Sequence, residues 1–358
     1  MNKVPSIGSA EALAVKRILL INVTRIGDTL LNTPAIRAIH RHFPNAAITC
    51  LGHAKRVEVL HHLPYISEVG EIDKHSAVYR GRLGALTGAS YDWAFVWGND
   101  AALHRYALRK AERVVGYEQK DAALNQQFFH AAIEPKLYSL HGVAMQLALP
   151  ASVGIAADGY GLDYVVADDE VLAARARLQR DLGAGKTPVI GLQVASFPTK
   201  AYRDWPIEQF IALGIRIIKD YPQAHFLLFG GADDRERTGI FANLLPDNTT
   251  VYAGVSLRET VAIMNEINLY IGVDTGPTHL FGALGKPMVA LYHPTLPSAL
   301  YKPLQHPALY VVDHPLAGAT TEQTIPMAEI NIETVWQRVA DALAGVSSRF
   351  PGMLPVGV

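Results

Sequence analysis

Two strand-to-helix turns in this 358-residue chain concentrate the side chains that chemistry needs. The first, VTRIGDTLLNTPAIRAI from Val23 to Ile39, joins an apolar run to an amphipathic one and holds a single glycine, Gly27. A dinucleotide-binding turn carries G-x-G-x-x-G, so NAD binding is disfavoured at this turn. Asp28 follows the glycine. At a helix start a carboxylate caps exposed N–H groups. Beyond the carboxyl end of a strand it also stands where open α/β sheets bind their ligands, and there it can act as a general base. These residues alone leave both readings open.

The second turn lies in YIGVDTGPTHLFGALGKPMVALYHPT, from Tyr270 to Thr295. An apolar strand runs into Asp274-Thr-Gly-Pro-Thr-His279 and then into a helix of small residues. Pro277 suits a first helical turn because its missing N–H would have no partner there. Thr275, Gly276 and Thr278 bring backbone N–H groups and hydroxyls to the positive end of that helix, a cradle for a diphosphate. One acid suffices as a cap; an acid, two threonines and a histidine within six residues point to a ligand. A third turn, LQVASFPTKAYRDWPIEQF, places Lys200 and Arg203 after another strand, where they could neutralise a leaving diphosphate without a metal. A fourth, FLLFGGADDRER, puts Asp233 and Asp234 where a carboxylate can accept ribose hydroxyls or favour a helix start.

Several other motifs fail. Gly185-Lys186-Thr187 imitates the end of a phosphate-binding loop, but the position needing the earlier glycine is Arg180. No H-E-x-x-H, G-x-S-x-G or Asp-x-Asp occurs, and the His pairs lack partners at metal-ligand spacing. Chemistry without a metal or other cofactor is the expectation.

The elements around these turns repeat one pattern. Apolar runs at Arg17–Val23, Ala46–Leu51, Tyr91–Trp97 and Arg113–Gly116 read as strands, with a helix at Asp28–His42. A second series has strands at Val189–Val194, Ala224–Phe229, Leu269–Gly272 and Met288–Tyr292. Its helices are Asp168–Leu182, Pro206–Asp220, Asp233–Leu245, Ser256–Asn265 and Thr278–Leu284. Such alternation predicts an α/β protein of two doubly wound parallel-sheet domains facing a cleft. The join falls between Ala151 and Pro188, giving domains 1–165 and 166–358. A last helix, Ile332–Ala344, has the option of returning to the first domain. Residues 1–16 read as a loose leader, and the tail SSRFPGMLPVGV has no periodicity.

Composition narrows the class. Hydrophobic residues are 49% and charged residues 18%, enough apolar surface for large cores. Lys and Arg number 32 against 33 Asp and Glu, which excludes a globally basic nucleic-acid binder. The lone Cys50 excludes an internal disulfide. No apolar run reaches a membrane span and no export signal is evident, so a cytoplasmic protein is expected. The first 160 residues carry 17 Lys/Arg and 13 Asp/Glu, a surplus that would suit an anionic partner.

In order and spacing, RILLINVTRIGDTLLNTPAIRAI, KAYRDWPIEQF, FGGADDRE and AGVSLRETVAIMNEINLYIGVDTGPTHLFGALGKPMVALYHPT resemble glycosyltransferase family 9, the lipopolysaccharide ADP-heptosyltransferases. The resemblance spans about Arg17 to Thr295 and implies the GT-B fold of two Rossmann-like domains, the acceptor on the first and the nucleotide-sugar on the second. It further implies inverting transfer of L-glycero-D-manno-heptose from ADP-heptose to the lipopolysaccharide inner core or lipid A-Kdo, at the inner face of the cytoplasmic membrane. Asp28 matches the family's general base. Asp274 would touch heptose hydroxyls, Thr275, Gly276 and Thr278 the diphosphate, with His279 in support. Two departures stand out: Arg203 occupies a position commonly Lys, with Lys200 three residues earlier, and the ribose-binding Glu of the family is matched by Asp233 or Asp234, with Asp234 preferred. Adenine would be met by backbone near Val255. Arg80, Arg82, Arg105, Arg109, Lys110 and Arg113 are candidate contacts for an anionic acceptor. A nucleotide-sugar epimerase and a non-catalytic sugar-nucleotide-binding assembly subunit are the competing functions.

Overall fold

Strongly apolar pentapeptides and hexapeptides cannot lie on a surface, and here they form the middles of two sheets. A computed structural model describes residues 7–84 and 90–349. It divides into two compact units, Met1–Val165 and Val166–Val358. The first unit holds β1 (Arg17–Asn22), β2 (Ala47–Gly52), β3 (Glu68–Glu71), β4 (Tyr91–Val96), β5 (Ala111–Tyr117) and β6 (His130–Ala132). All are parallel, in the order β3-β2-β1-β4-β5-β6. The second unit holds β7 (Val189–Gln193), β8 (His225–Gly230), β9 (Thr249–Ala253), β10 (Leu269–Val273), β11 (Met288–Tyr292) and β12 (Leu309–Asp313). These are also parallel, ordered β12-β11-β10-β7-β8-β9.

Side chains alternate across each strand, so helices must cover both faces. In the second unit Phe226, Leu228, Leu269, Ile271 and Val273 face one core with Trp205, Phe210 and Ile217. Leu227, Phe229 and Tyr270 face another with Ile263, Ile267 and Phe281. In the first unit Leu19, Ile21, Ala94 and Val96 pack with Leu103, Tyr106 and Ala107. The closing helix runs Ile332–Arg349. Its Val335, Val339, Ala342 and Leu343 belong to the second unit's core.

Three expectations change. The single helix read at Asp28–His42 is two, Ile26–Leu31 and Thr33–His42, parted at Asn32. Pro34 has no N–H for the Leu30 carbonyl, and the Thr33 hydroxyl donates to it instead at 2.7 Å. From residue 7 the leader is not loose. Ser9–Ala14 is a helix, Ile7, Ala12 and Val15 are buried, and Glu11 pairs with Arg113. Residues 1–6 and the tail beyond residue 349 lie outside the described residues. The strands missing from the sequence reading, β3, β6, β9 and β12, are the four sheet edges, where partial exposure removes the continuous apolar run.

Trp205 fixes the loop after β7. It is fully buried, donates its indole N–H to the Ile330 carbonyl at 3.0 Å and meets Phe210 edge-on. Trp205→Ala should therefore lower stability by about 3–5 kcal/mol in denaturant unfolding, and Trp205→Phe by distinctly less.

Candidate active site

In a doubly wound sheet, ligands bind beyond the strand ends where successive connections depart in opposite directions. In the first unit that point lies between β1 and β4. Here the turn after β1 enters the helix Ile26–Leu31, capped by Arg25 without any side-chain bond. Asp28 is therefore not its cap. Its half-buried carboxylate accepts the Thr24 hydroxyl at 3.2 Å, and Arg56 donates to the Thr24 carbonyl at 2.9 Å. A carboxylate steadied by a side chain and spared from capping can take a proton from a ligand.

In the second unit the corresponding point lies between β7 and β10, and it gathers more groups. Asp274 follows β10 and is only 4% exposed. Arg203 Nη1, from the loop after β7, lies 3.5 Å from Asp274 Oδ2, and His279 Nε2 lies 3.5 Å from Oδ1. Both contacts are too long for good hydrogen bonds. Four buried polar atoms around these strand ends have no hydrogen-bond partner among the described residues: Gln193 Oε1, Asp274 Oδ1, His279 Nδ1 and the Tyr292 hydroxyl. Buried polar atoms are mostly paired, so a polar ligand bound at these strand ends is one partner that could satisfy them. Burial, reinforced by the Asp274 charge, raises the Tyr292 hydroxyl well above its ordinary value and keeps it a neutral donor.

The helix Gly276–Ala283 begins at the same point, with Thr275 as a cap that makes no side-chain bond to its N–H groups. Thr275 and Gly276 thus stand at an open helix start. Thr278 behaves differently from the expectation. It is fully buried, and its hydroxyl donates to the Val273 carbonyl at 2.5 Å beside the Tyr270 hydroxyl at 3.1 Å. It holds the loop from beneath. His279 is buried next to Asp274, in keeping with a supporting position.

The two cations share one ring but differ in reach. Arg203 reaches Asp274, while Lys200 Nζ lies 5.7 Å from the Tyr202 ring centre, a ring that Arg203 shares at 5.6 Å. Asp234 accepts the Gly231 N–H at 2.7 Å through Oδ2, so one oxygen shapes its own turn. Burial raises its pKa above the usual carboxylate value. Arg237 clasps the loop after β7, donating to the carbonyls of Val194 at 3.0 Å and Trp205 at 2.7 Å.

Sequence reading missed Tyr202, Gln193, Tyr292, Arg237 and His293, whose ring meets Tyr202 at 4.9 Å. Burial chiefly, with His314 and Arg203 nearby, lowers the His293 pKa. All five fall inside the quoted turn motifs or at their ends, but their types alone gave no signal; contacts with other segments reveal them, and Arg237 does so from the helix Arg235–Leu244. The first-half cations disperse: Arg105 pairs with Asp121, and Arg113 with Glu11 over the Trp93 and Phe129 rings. The side chains of Arg80 and Arg82 lie outside the described residues.

Comparison with known proteins gives the family and the fold. A glycosyltransferase family 9 (heptosyltransferase) model matches residues 85–328. A family 9 glycosyltransferase from Veillonella parvula superposes with a TM-score of 0.79 at 21% identity, covering 92% of this chain and 98% of that one. Escherichia coli ADP-heptose LPS heptosyltransferase II gives 0.76 at 19%, covering 92% and 99%. An E. coli heptosyltransferase with ADP-2-deoxy-2-fluoro heptose gives 0.66 at 16%, covering 91% and 99%. No curated protein sequence gives a significant match. Two parallel six-stranded units of this kind form the GT-B fold of nucleotide-sugar glycosyltransferases. The chain belongs to glycosyltransferase family 9, the heptosyltransferases.

If this helix start holds a nucleoside diphosphate, with ADP as the probe, Arg203→Ala should weaken its binding about tenfold or more by calorimetry, the loss of a charge-assisted contact, whereas Lys200→Ala should stay within about threefold.

Proposed function

We propose that this glycosyltransferase moves L-glycero-D-manno-heptose from ADP-heptose to the inner core of lipopolysaccharide, with inversion at the anomeric carbon. The observation that carries the catalytic assignment is the Asp28 carboxylate, held by Thr24 and free of capping duty at the mouth of β1. The second unit takes the donor. Arg203 and the helix start at Thr275–Gly276 meet the diphosphate, Asp274 and its orphaned oxygen accept heptose hydroxyls, and Asp234 offers its second oxygen to ribose. Lys200 adds positive charge at the rim, His279 steadies Asp274, and Thr278 steadies the loop.

In the reaction, an acceptor hydroxyl gives its proton to Asp28 as its oxygen attacks the anomeric carbon from the face opposite ADP. The bond from that carbon to the phosphate oxygen breaks, and its electron pair leaves with ADP. Base catalysis contributes roughly 10²–10⁴-fold. Charge stabilisation of the departing phosphate by Arg203 and the helix start supplies much of the remainder. Because these groups provide the positive charge, the reaction is assigned no metal or other cofactor. A lipid-linked acceptor places the work at the inner face of the cytoplasmic membrane. Contact there is peripheral in this reading, since no helix among the described residues is long and apolar enough to cross a bilayer.

The test is ADP release from ADP-heptose with and without truncated lipopolysaccharide cores. Asp28→Asn should reduce acceptor-dependent release by about 10²-fold or more while sparing ADP binding. Turnover that survives this change would remove Asp28 from the mechanism. Full activity is expected in excess EDTA, and inhibition that magnesium reverses would contradict the metal-free assignment.

A further inference from the structure

Apart from Asp28 itself, the first unit has a cavity at the carboxyl ends of β1, β4 and β5, with Asn22, Thr24, Trp97, Tyr117, Glu134 and Gln146 among its walls. Its volume is about 150 Å³. A cavity of that order holds one six-membered ring. Thr24 lies in its wall and bonds Asp28, so a ring seated here presents its hydroxyls next to the base.

The walls are built for hydroxyls and against anions. Asn22 Nδ2 donates to Gln146 Oε1 at 3.3 Å, which leaves the Asn22 oxygen and the Gln146 amino group to serve a ligand. The indole N–H of Trp97 donates to the Gln146 carbonyl at 3.0 Å, and the Tyr117 hydroxyl to the Met145 carbonyl at 3.2 Å, so both rings are fixed. Glu134 is held by Asn99 Nδ2 at 2.7 Å. Among the described residues it is the one carboxylate in the wall, and no Lys, Arg or His among them lines the cavity. The Tyr117 hydroxyl is raised by burial first and then by the Glu134 charge, consistent with a negative field inside. The nearby Arg56 donates to the Thr24 backbone and is not in the wall.

We infer that this cavity is an acceptor subsite for an uncharged, hydroxyl-rich pyranose, and that Glu134 turns away sugars bearing a carboxylate or phosphate at that position. The inference rests on the proposed transfer reaction for its meaning. It narrows the acceptor to a core whose receiving unit is a neutral sugar. A site meant for an anionic unit would place a guanidinium or ammonium in the wall, as anion sites do; a site for hydroxyls uses amides and carboxylates.

Sugar binding tests this apart from turnover. Saturation-transfer NMR on the full chain, saturated with ADP, would compare methyl heptopyranoside with the methyl glycoside of Kdo as probes. The neutral probe should bind and the Kdo probe should not. Gln146→Ala should weaken the neutral probe about fivefold, the loss of an ordinary hydrogen bond. Glu134→Gln, an exposed and near-isosteric change, should admit the Kdo probe while ADP affinity stays unaltered. Preference of the wild type for Kdo, binding of neither probe, or indifference to both substitutions would overturn the inference. Neutral-sugar binding with that mutational pattern, but without ADP binding or heptosyl transfer, would uphold the subsite and remove the transfer reading instead.

Discussion

Everything functional in this molecule depends on where neighbouring parallel strands send their chains in opposite directions. Between β1 and β4, and again between β7 and β10, one connection turns to one face of the sheet and the next to the other. No helix then roofs the strand ends, and the backbone leaves a gap. The gap in the first unit holds Asp28 and the amide-lined cavity; the gap in the second holds Asp274, Arg203 and the open helix start. Strand order thus fixes two sites before any side chain is chosen.

The second site shows what such a gap costs and how that cost is contained. Burying a carboxylate such as Asp274 carries a desolvation cost, and the side chains of Arg203 and His279 face it at 3.5 Å. Neighbouring loops supply the rigidity that keeps these groups from collapsing onto one another. Arg237 and Trp205 tie the loop after β7 to the core, and the Thr278 hydroxyl ties the loop after β10 to β10 itself. Unsatisfied atoms persist because the groups around them cannot move to meet them. On the proposed function, a ligand with hydroxyls and phosphates would be received without rearrangement, the economy that preorganised sites exploit.

Much of this was legible in the sequence, for identifiable reasons. Central strands such as Leu269–Val273 are buried on both faces, so they read as unbroken apolar runs. Edge strands such as Glu68–Glu71 are wet on one side and leave no such trace. The turns at Asp28 and Asp274 were visible because each packs glycine, acid and hydroxyl residues into a few positions. The helix break at Asn32 was readable in principle from Pro34, as was Thr33 as the replacement donor. Gln146, Glu134, Tyr202 and His293 were not, since each becomes significant only through contact with a segment distant in sequence. The N-terminal helix escaped notice because its six residues are too short to show a period; only the burial of Ala12 and the Glu11–Arg113 pair reveal its place.

Each described core cluster lies within a single unit, and each unit carries its own gap at its own sheet. Substitutions that share no core or partners combine nearly additively. Changes to the core of one unit are therefore expected to add to changes in the core of the other. In evolutionary terms the chain carries two separable inheritances, each a hydrophobic core that can be repacked without calling on the other.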